Sequence, residues 1–171
     1  YQRKEYARFS VPGGQSFQPF HRALEGDWSS ATFWLVAGAA GLGDVTVSGL
    51  DPSDVQGDRA VLDILAALGA SVDWTNANGT SACTVTGPLT RGGRIDLNAI
   101  PAALPALAVA GCFSGDTVEL INVPQARQKE TDRIAVTAHE LGRLGASITE
   151  LPDGLVIQPG QLTGGAVSSH G

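Results

Sequence analysis

The residues best suited to chemistry lie in one stretch, Arg127-Gln128-Lys129-Glu130-Thr131-Asp132-Arg133. Five of its seven side chains are charged, in a chain where only 16% of residues are. Two cations, Lys129 and Arg133, with the Glu130 carboxylate between them can hold an anionic substrate and exchange a proton with it. The stretch follows an apolar run, Val118 to Val123, and Pro124. It leads into Ile134, Ala138, Leu141 and Leu144, at spacings of four and three. That periodicity predicts an amphipathic helix over 129–144 with the charges in its first turn. Free N–H groups and the helix dipole favour an anion at such a turn. At about 100° per residue, Lys129, Glu130 and Arg133 share about 100° of arc on that helix. Ordinary helix ion pairs on a solvated turn would look the same in isolation, so the rest of the chain has to decide.

Composition narrows the function classes. At 171 residues the chain can bury a real core, and 43% apolar content fits a soluble globular protein. A net charge of −6 with no basic run argues against a nucleic-acid surface, so the local cations serve small anions. Apolar stretches are broken by Gly, Ser or Pro and fall short of a membrane span. No Cys/His spacing suggests a metal site. Cys83 and Cys112 stand alone in apolar patterns and, with no signal peptide, read as buried reduced thiols of a cytoplasmic protein. A chain without Met that opens Tyr1-Gln2-Arg3-Lys4 reads as the interior of a longer protein.

The elements that must position the cluster come in two rounds. In residues 1–24, Tyr6, Phe9 and Val11 suggest strand, followed by turn residues from Pro12 to Ser16; the segment reads as the end of a neighbouring element. Asp27, Ser29 and Ser30 signal a helix cap, and the helix to about Ala40 is apolar nearly all round, which predicts burial. A strand (44–49), a helix (58–68) and a hairpin (70–74 and 81–86, turning at Asn76-Ala77-Asn78-Gly79) follow. Then a strand (95–98), a helix (101–110), a strand (117–123), the helix 129–144 and a hairpin (147–151 and 155–158) repeat the order. Leu68-Gly69-Ala70-Ser71-Val72 matches Leu144-Gly145-Ala146-Ser147-Ile148, and Asp58-Arg59 matches Asp132-Arg133. The fold expected is α/β (α+β), two tandem βαβαββ units at 25–92 and 93–160. The tail 161–171 could begin a third unit but cannot complete it. Asp58-Arg59 reads as a structural pair, His139 as surface, and His21 and His170 as loop residues with no nucleophile beside them.

Five blocks now carry a family resemblance: Gly13-Gly14-Gln15-Ser16, Glu25-Gly26-Asp27-Trp28-Ser29-Ser30-Ala31, Gln56-Gly57-Asp58, Asp96-Leu97-Asn98-Ala99-Ile100-Pro101 and Arg127–Arg133. In order and spacing they resemble the 5-enolpyruvylshikimate-3-phosphate (EPSP) synthases, shikimate-pathway transferases of aromatic amino-acid biosynthesis and the target of glyphosate. The resemblance implies two domains of three βαβαββ units each, with substrates in the cleft between them. This chain would hold the last strand region of one domain (1–24) and two units of the other, stopping where the family continues into an Asp-His-Arg block and a third unit.

The resemblance also implies a reaction: phosphoenolpyruvate gives its enolpyruvyl group to the 5-hydroxyl of shikimate 3-phosphate, releasing phosphate, with no metal or organic cofactor. Glu130 matches the family's proton-transferring glutamate. Lys129 and Gln125 match contacts to shikimate 3-phosphate, and Arg133 matches an arginine that grips the phosphoenolpyruvate carboxylate, a task suited to guanidinium. Arg127 has no role beyond cleft charge. One catalytic position departs: where the family has the Asp taken as base, this chain has Ala102. Pro101 and Leu104-Pro105-Ala106-Leu107-Ala108 fix that register. The implied chain holds half of an active site and does not turn over alone. A related transferase acting on a UDP-sugar shares the fold but not the Lys-Glu-Thr-Asp-Arg block in this form. The alternatives are a non-catalytic module complementing a separate chain, motivated by Ala102, and a purely structural repeat domain. An apolar edge left open implies self-association or a partner chain.

Overall fold

The computed structural model describes residues 2–4, 8–21, 24–77 and 79–170. The expectations for Tyr6, Asn78 and the terminal Gly171 lie outside the described residues. Two short strands, β1 (Gln2–Lys4) and β2 (Arg8–Ser10), pair antiparallel, with Ser10 opposite Gln2. The remainder is built on two larger sheets and four α-helices.

The first sheet has the order β3-β5-β4, from Val45–Ser48 (β3), Ser71–Ala77 (β4) and Thr80–Thr86 (β5), all antiparallel. The second runs β6-β7-β9-β8, from Gly93–Asp96 (β6), Val118–Ile121 (β7), Ser147–Leu151 (β8) and Gly154–Gln158 (β9). There β6 is parallel to β7, and the rest antiparallel. The expected strand order holds throughout the second half. The first half lacks the leading strand among the described residues: Gln15–His21 are exposed and irregular, and Pro12 and Pro19 offer no N–H to a ladder. Gly26 still donates to the Gly49 carbonyl (2.8 Å), much as Leu97 donates to Ile121 (3.0 Å) at the end of β6.

Period-two patterning explains the strands: Cys83 and Val85 on β5, Val118 and Leu120 on β7, and Leu155 and Ile157 on β9 are all fully buried. Against them lie α1 (Trp28–Ala39) and α3 (Leu104–Cys112), which also pack on each other. On α1, Trp28, Ala31, Leu35 and Ala39 follow helical spacing and are buried. The expectation of burial all round fails on its other side, where Phe33 is 55% and Trp34 66% exposed. Apolar composition marks a face fit to bury; whether something covers it is a tertiary matter. Both cysteines are free and buried; burial, then the charge of Asp73, pushes the Cys83 thiol up to about 11. Among the described residues no helix is long and apolar enough to cross a membrane.

The ends of the two remaining helices are bonded alike. Helix α2 (Val61–Leu68), entered by a 3-10 turn (Gly57–Ala60), ends at Gly69, and α4 (Arg133–Arg143) at Leu144-Gly145. Thr90 N–H donates to the Leu68 carbonyl (3.0 Å), and Thr163 N–H to the Leu144 carbonyl (2.7 Å). Gly69 (φ +117°) and Gly145 (φ +94°) adopt the left-handed conformation, and a Cβ on either would stand 2.5 Å from Thr90 Oγ1 or 2.9 Å from Thr163 Oγ1. Each threonine therefore closes on a glycine that no side chain can replace without strain. Asp58 and Arg59 do not form the expected pair: Arg59 donates to the Pro52 carbonyl (3.1 Å), and the buried Asp58 Oδ1 has no hydrogen-bond partner among the described residues. Both lie in a 3-10 turn, whereas their sequence match Asp132-Arg133 forms the cap and first residue of α4.

The tail folds back along α4. Beyond Thr163, the Ser168 N–H (2.9 Å) and the His170 ring (2.8 Å) bond the Glu140 carboxylate, which also receives Arg143 (3.1 Å). Glu140 is 8% exposed, with His139 3.8 Å away. The His170 hydrogen bond, then the Ser168 N–H and the Arg143 charge, hold the carboxyl at about 2 against an ordinary 4.5. A carboxyl depressed by folding stabilises the fold above its unfolded pKa and loses that contribution as pH falls through its folded one. Calorimetry from pH 5 to 2 should show the Tm of the parent chain falling more steeply than that of Glu140→Gln; equal slopes would contradict the latch.

Candidate active site

The chain leaves β7 through Asn122, whose φ of +57° turns it sharply. Asn122 is held by the Asp96 carboxylate on its side chain (2.8 Å) and by the Asp153 carboxylate on its N–H (3.1 Å). A 3-10 turn (Pro124–Gln128) follows, and Lys129 is extended (φ −86°, ψ −158°). Asp132 then caps α4, its Oδ1 accepting the Ala135 N–H at 3.0 Å. The helix therefore starts at Arg133, and the expectation of a helix from residue 129 is corrected. Lys129 and Glu130 precede the helix, because the Asp132 cap fixes its first turn. The shared helical arc does not exist, yet two of the three side chains meet: Arg133 donates to Glu130 at 2.7 Å.

The electrostatics follow from these bonds. The Glu130 backbone N–H, then the Arg133 guanidinium and the nearby Lys129 charge, hold the Glu130 carboxyl below the usual carboxylate range. Burial pushes the Asp132 carboxyl up, but the Ala135 N–H and Arg127 outweigh it, and the net shift is downward. Lys129 is exposed and makes no ion pair among the described residues. Gln125 donates to the carbonyl (3.1 Å) and side chain (3.3 Å) of Asn98, tying the cluster to the loop after β6.

That loop leads to the 3-10 turn Pro101–Ala103, and so to Ala102 at the entrance of α3. A cavity of about 270 Å³ is lined by Ser29, Ser30, Phe33, Ala102, Pro105 and Arg133. The starts of α1, α3 and α4 therefore converge on it, and Arg133 is the one charged lining residue among the described residues. Ala102 and Arg133, 31 positions apart in sequence, share this cavity; Glu130 is joined to it through Arg133. Lys129 and Gln125 lie on the same segment but do not line it.

The sequence reading missed Ser29 and Ser30 as lining residues. Their cap role holds: Asp27 accepts both N–H groups (3.2 and 3.0 Å) and both hydroxyls. The Ser30 hydroxyl, then that of Ser29, hold Asp27 at about 2. The signal was present in the shared block Glu25–Ala31, but a cap explained it fully. A larger groove, about 450 Å³, lies between α2 and β6 against Ile64, Leu68, Ile95 and Ile100. None of the candidate residues lines it, and the chemistry lies at the smaller, charged cavity. Among the described residues no group of three or more His, Cys, Asp or Glu is placed to hold a metal ion.

Comparison with known proteins identifies the family. Residues 2–171 match the family model of EPSP synthase (3-phosphoshikimate 1-carboxyvinyltransferase). A 3-phosphoshikimate 1-carboxyvinyltransferase of Ruminiclostridium cellulolyticum is 48% identical over 170 residues, covering 99% of this chain and 39% of that protein. Its counterpart from Acetivibrio thermocellus is 45% identical, covering 100% of this chain and 40% of that protein. The chain thus spans about two fifths of these curated relatives. A solved EPSP synthase from Acinetobacter baumannii superposes with a TM-score of 0.63 at 29% identity, over 80% of this chain and 32% of that one. The chain belongs to the EPSP synthase family.

Proposed function

We propose that the chain supplies one wall of the active site of a cytoplasmic shikimate-pathway transferase. The reaction moves the enolpyruvyl group of phosphoenolpyruvate to the 5-hydroxyl of shikimate 3-phosphate and releases phosphate. The observation that carries the reading is the Arg133–Glu130 pair beside the cavity that Ala102 lines.

In this reading Arg133 grips the phosphoenolpyruvate carboxylate. Only one of its terminal nitrogens is taken by Glu130 among the described residues, so the fork can accept a second carboxylate. A carboxylate that draws Arg133 from Glu130 removes a cause of the depressed Glu130 pKa. The carboxyl then moves toward neutrality and can carry a proton to and from the methylene carbon. Lys129, free of ion pairs among the described residues, neutralises shikimate 3-phosphate, and Gln125 contacts the same ligand. Glyphosate occupies the phosphoenolpyruvate position. At Ala102 no group can take the hydroxyl proton, so this wall holds anions without completing the transfer.

A second reading is favoured by the same Ala102 and by the exposed Phe33, Trp34 and Leu42. The chain is then a binding module whose apolar face meets a complementary chain or, alone, a second copy. One experiment bears on both. Sedimentation of the 171-residue chain should show self-association that gives way to a one-to-one complex when a chain carrying the remaining family parts is added. Calorimetry of that complex should show binding of shikimate 3-phosphate that the chain alone lacks. A monomer that forms no complex overturns the partner assignment, and a complex that binds no shikimate 3-phosphate overturns the substrate assignment.

A further inference from the structure

Arg127 was expected to add only positive charge to the cleft. Its guanidinium instead points all its bonding inward. Nε donates to the Pro152 carbonyl (2.8 Å). One terminal nitrogen donates to the Leu151 carbonyl (2.6 Å) and pairs with Glu150 (2.8 Å). The other pairs with Asp132 (2.7 Å). With these four partners the fork is left with no paired donors for a phosphate or carboxylate.

We propose that Arg127 is a positioning residue of the site: by clamping the Asp132 cap to the tip of the β8–β9 hairpin, it sets where Glu130 and Arg133 stand. The tip already holds the front of the segment, since Val123 N–H donates to the Asp153 carbonyl (2.9 Å) and Asn122 N–H to the Asp153 carboxylate. Arg127 supplies the rear hold. Gln125, Lys129 and Glu130 lie between or beside the two. Asp132 is the link to chemistry: one carboxylate oxygen takes Arg127 while the other caps the helix that begins at Arg133. Without the guanidinium, Asp132 and Glu150 face each other as like charges, and the rear of the segment comes free.

The first half of the molecule is an internal control. There Gly49 N–H donates to the Ser81 carbonyl (2.9 Å) beside the tip of the β4–β5 hairpin, a counterpart of the front hold. No cation is hydrogen-bonded to that hairpin tip among the described residues, and the charged groups that line a cavity with it, Glu25 and Asp51, are both carboxylates. Among the described residues the rear hold stands beside the Arg127–Arg133 cluster. The geometry requires arginine, because the partners lie in three directions and the single nitrogen of lysine cannot span them.

What the positioned cluster binds rests on the function proposed above; the clamp itself is testable in the 171-residue chain without any substrate. In Arg127→Gln and Arg127→Lys, NMR titration should find the Glu130 carboxyl shifted up toward the ordinary carboxylate range. Exchange of the Ala135 amide should rise roughly five- to tenfold as its cap loosens, while near-UV circular dichroism of the core stays unchanged. If Arg127→Gln does not fold, Arg127→Lys decides alone. A Glu130 titration and Ala135 exchange like those of the parent in a folded variant overturn the proposal, as does full restoration by lysine. Such a failure leaves the substrate assignments standing, and a failure to bind shikimate 3-phosphate leaves the clamp standing.

Discussion

Ala102→Asp should raise turnover by about 10²–10⁴-fold, the usual contribution of a positioned general acid or base. The measurement is phosphate release by a full-length EPSP synthase whose matching stretch is replaced by these 171 residues, with and without the substitution. The gain should fall in kcat more than in KM, because proton removal matters in the transition state and Arg133 and Lys129 are unchanged. The structure gives the new carboxylate room, since Ala102 lines a cavity of about 270 Å³ rather than packed core. It also gives it a counter-charge in Arg133, which lines the same cavity. Comparable rates for the two proteins would mean that another group removes the proton, and that the departure at 102 is neutral.

Trp28→Ala should lower the unfolding free energy by about 3–5 kcal/mol, the range for deleting a buried large aromatic. Trp28 is fully buried, with its ring edge-on to Trp74 at 6.0 Å between centroids. Its Nε1 has no hydrogen-bond partner among the described residues, so the loss is one of packing and cavity formation. Trp34, on the same helix and 66% exposed, is the control; its replacement by Ala should change stability by no more than about 0.5 kcal/mol. Chemical denaturation measures both. The midpoint should move for Trp28 with the slope unchanged. Equal effects would mean that the two faces of α1 are not distinguished as described.

What the sequence made legible was mostly local. Apolar alternation placed β5, β7 and β9, and the glycines after Leu68 and Leu144 ended α2 and α4 where expected. The family blocks pointed to Glu130 and Arg133, which do pair. What stayed hidden depends on distant partners. The start of α4 at Arg133 follows from the Asp132 cap, itself held by Arg127, whose other partners lie in the hairpin at 150–152. No pattern over a few residues can show such a bond. Ser29 and Ser30 meet Ala102 only because two helix starts from different halves converge. The open side of α1 was illegible for the opposite reason: apolar residues look alike whether or not a partner covers them.

The two threonine–glycine joints carry a hazard, since parts that fit one seam can in principle fit the other. Four residues before Leu68 stands Ile64, and four before Leu144 stands Glu140. The second seam is thereby keyed. Only a segment offering an N–H and an imidazole in the places of Ser168 and His170 satisfies that carboxylate. A segment docked there without those two groups would leave the largely buried carboxylate with Arg143 alone, which is unfavourable. The bonds that hold Glu140 below the ordinary carboxylate range thus also make the two seams chemically unlike at neutral pH: one is charged where the other is apolar.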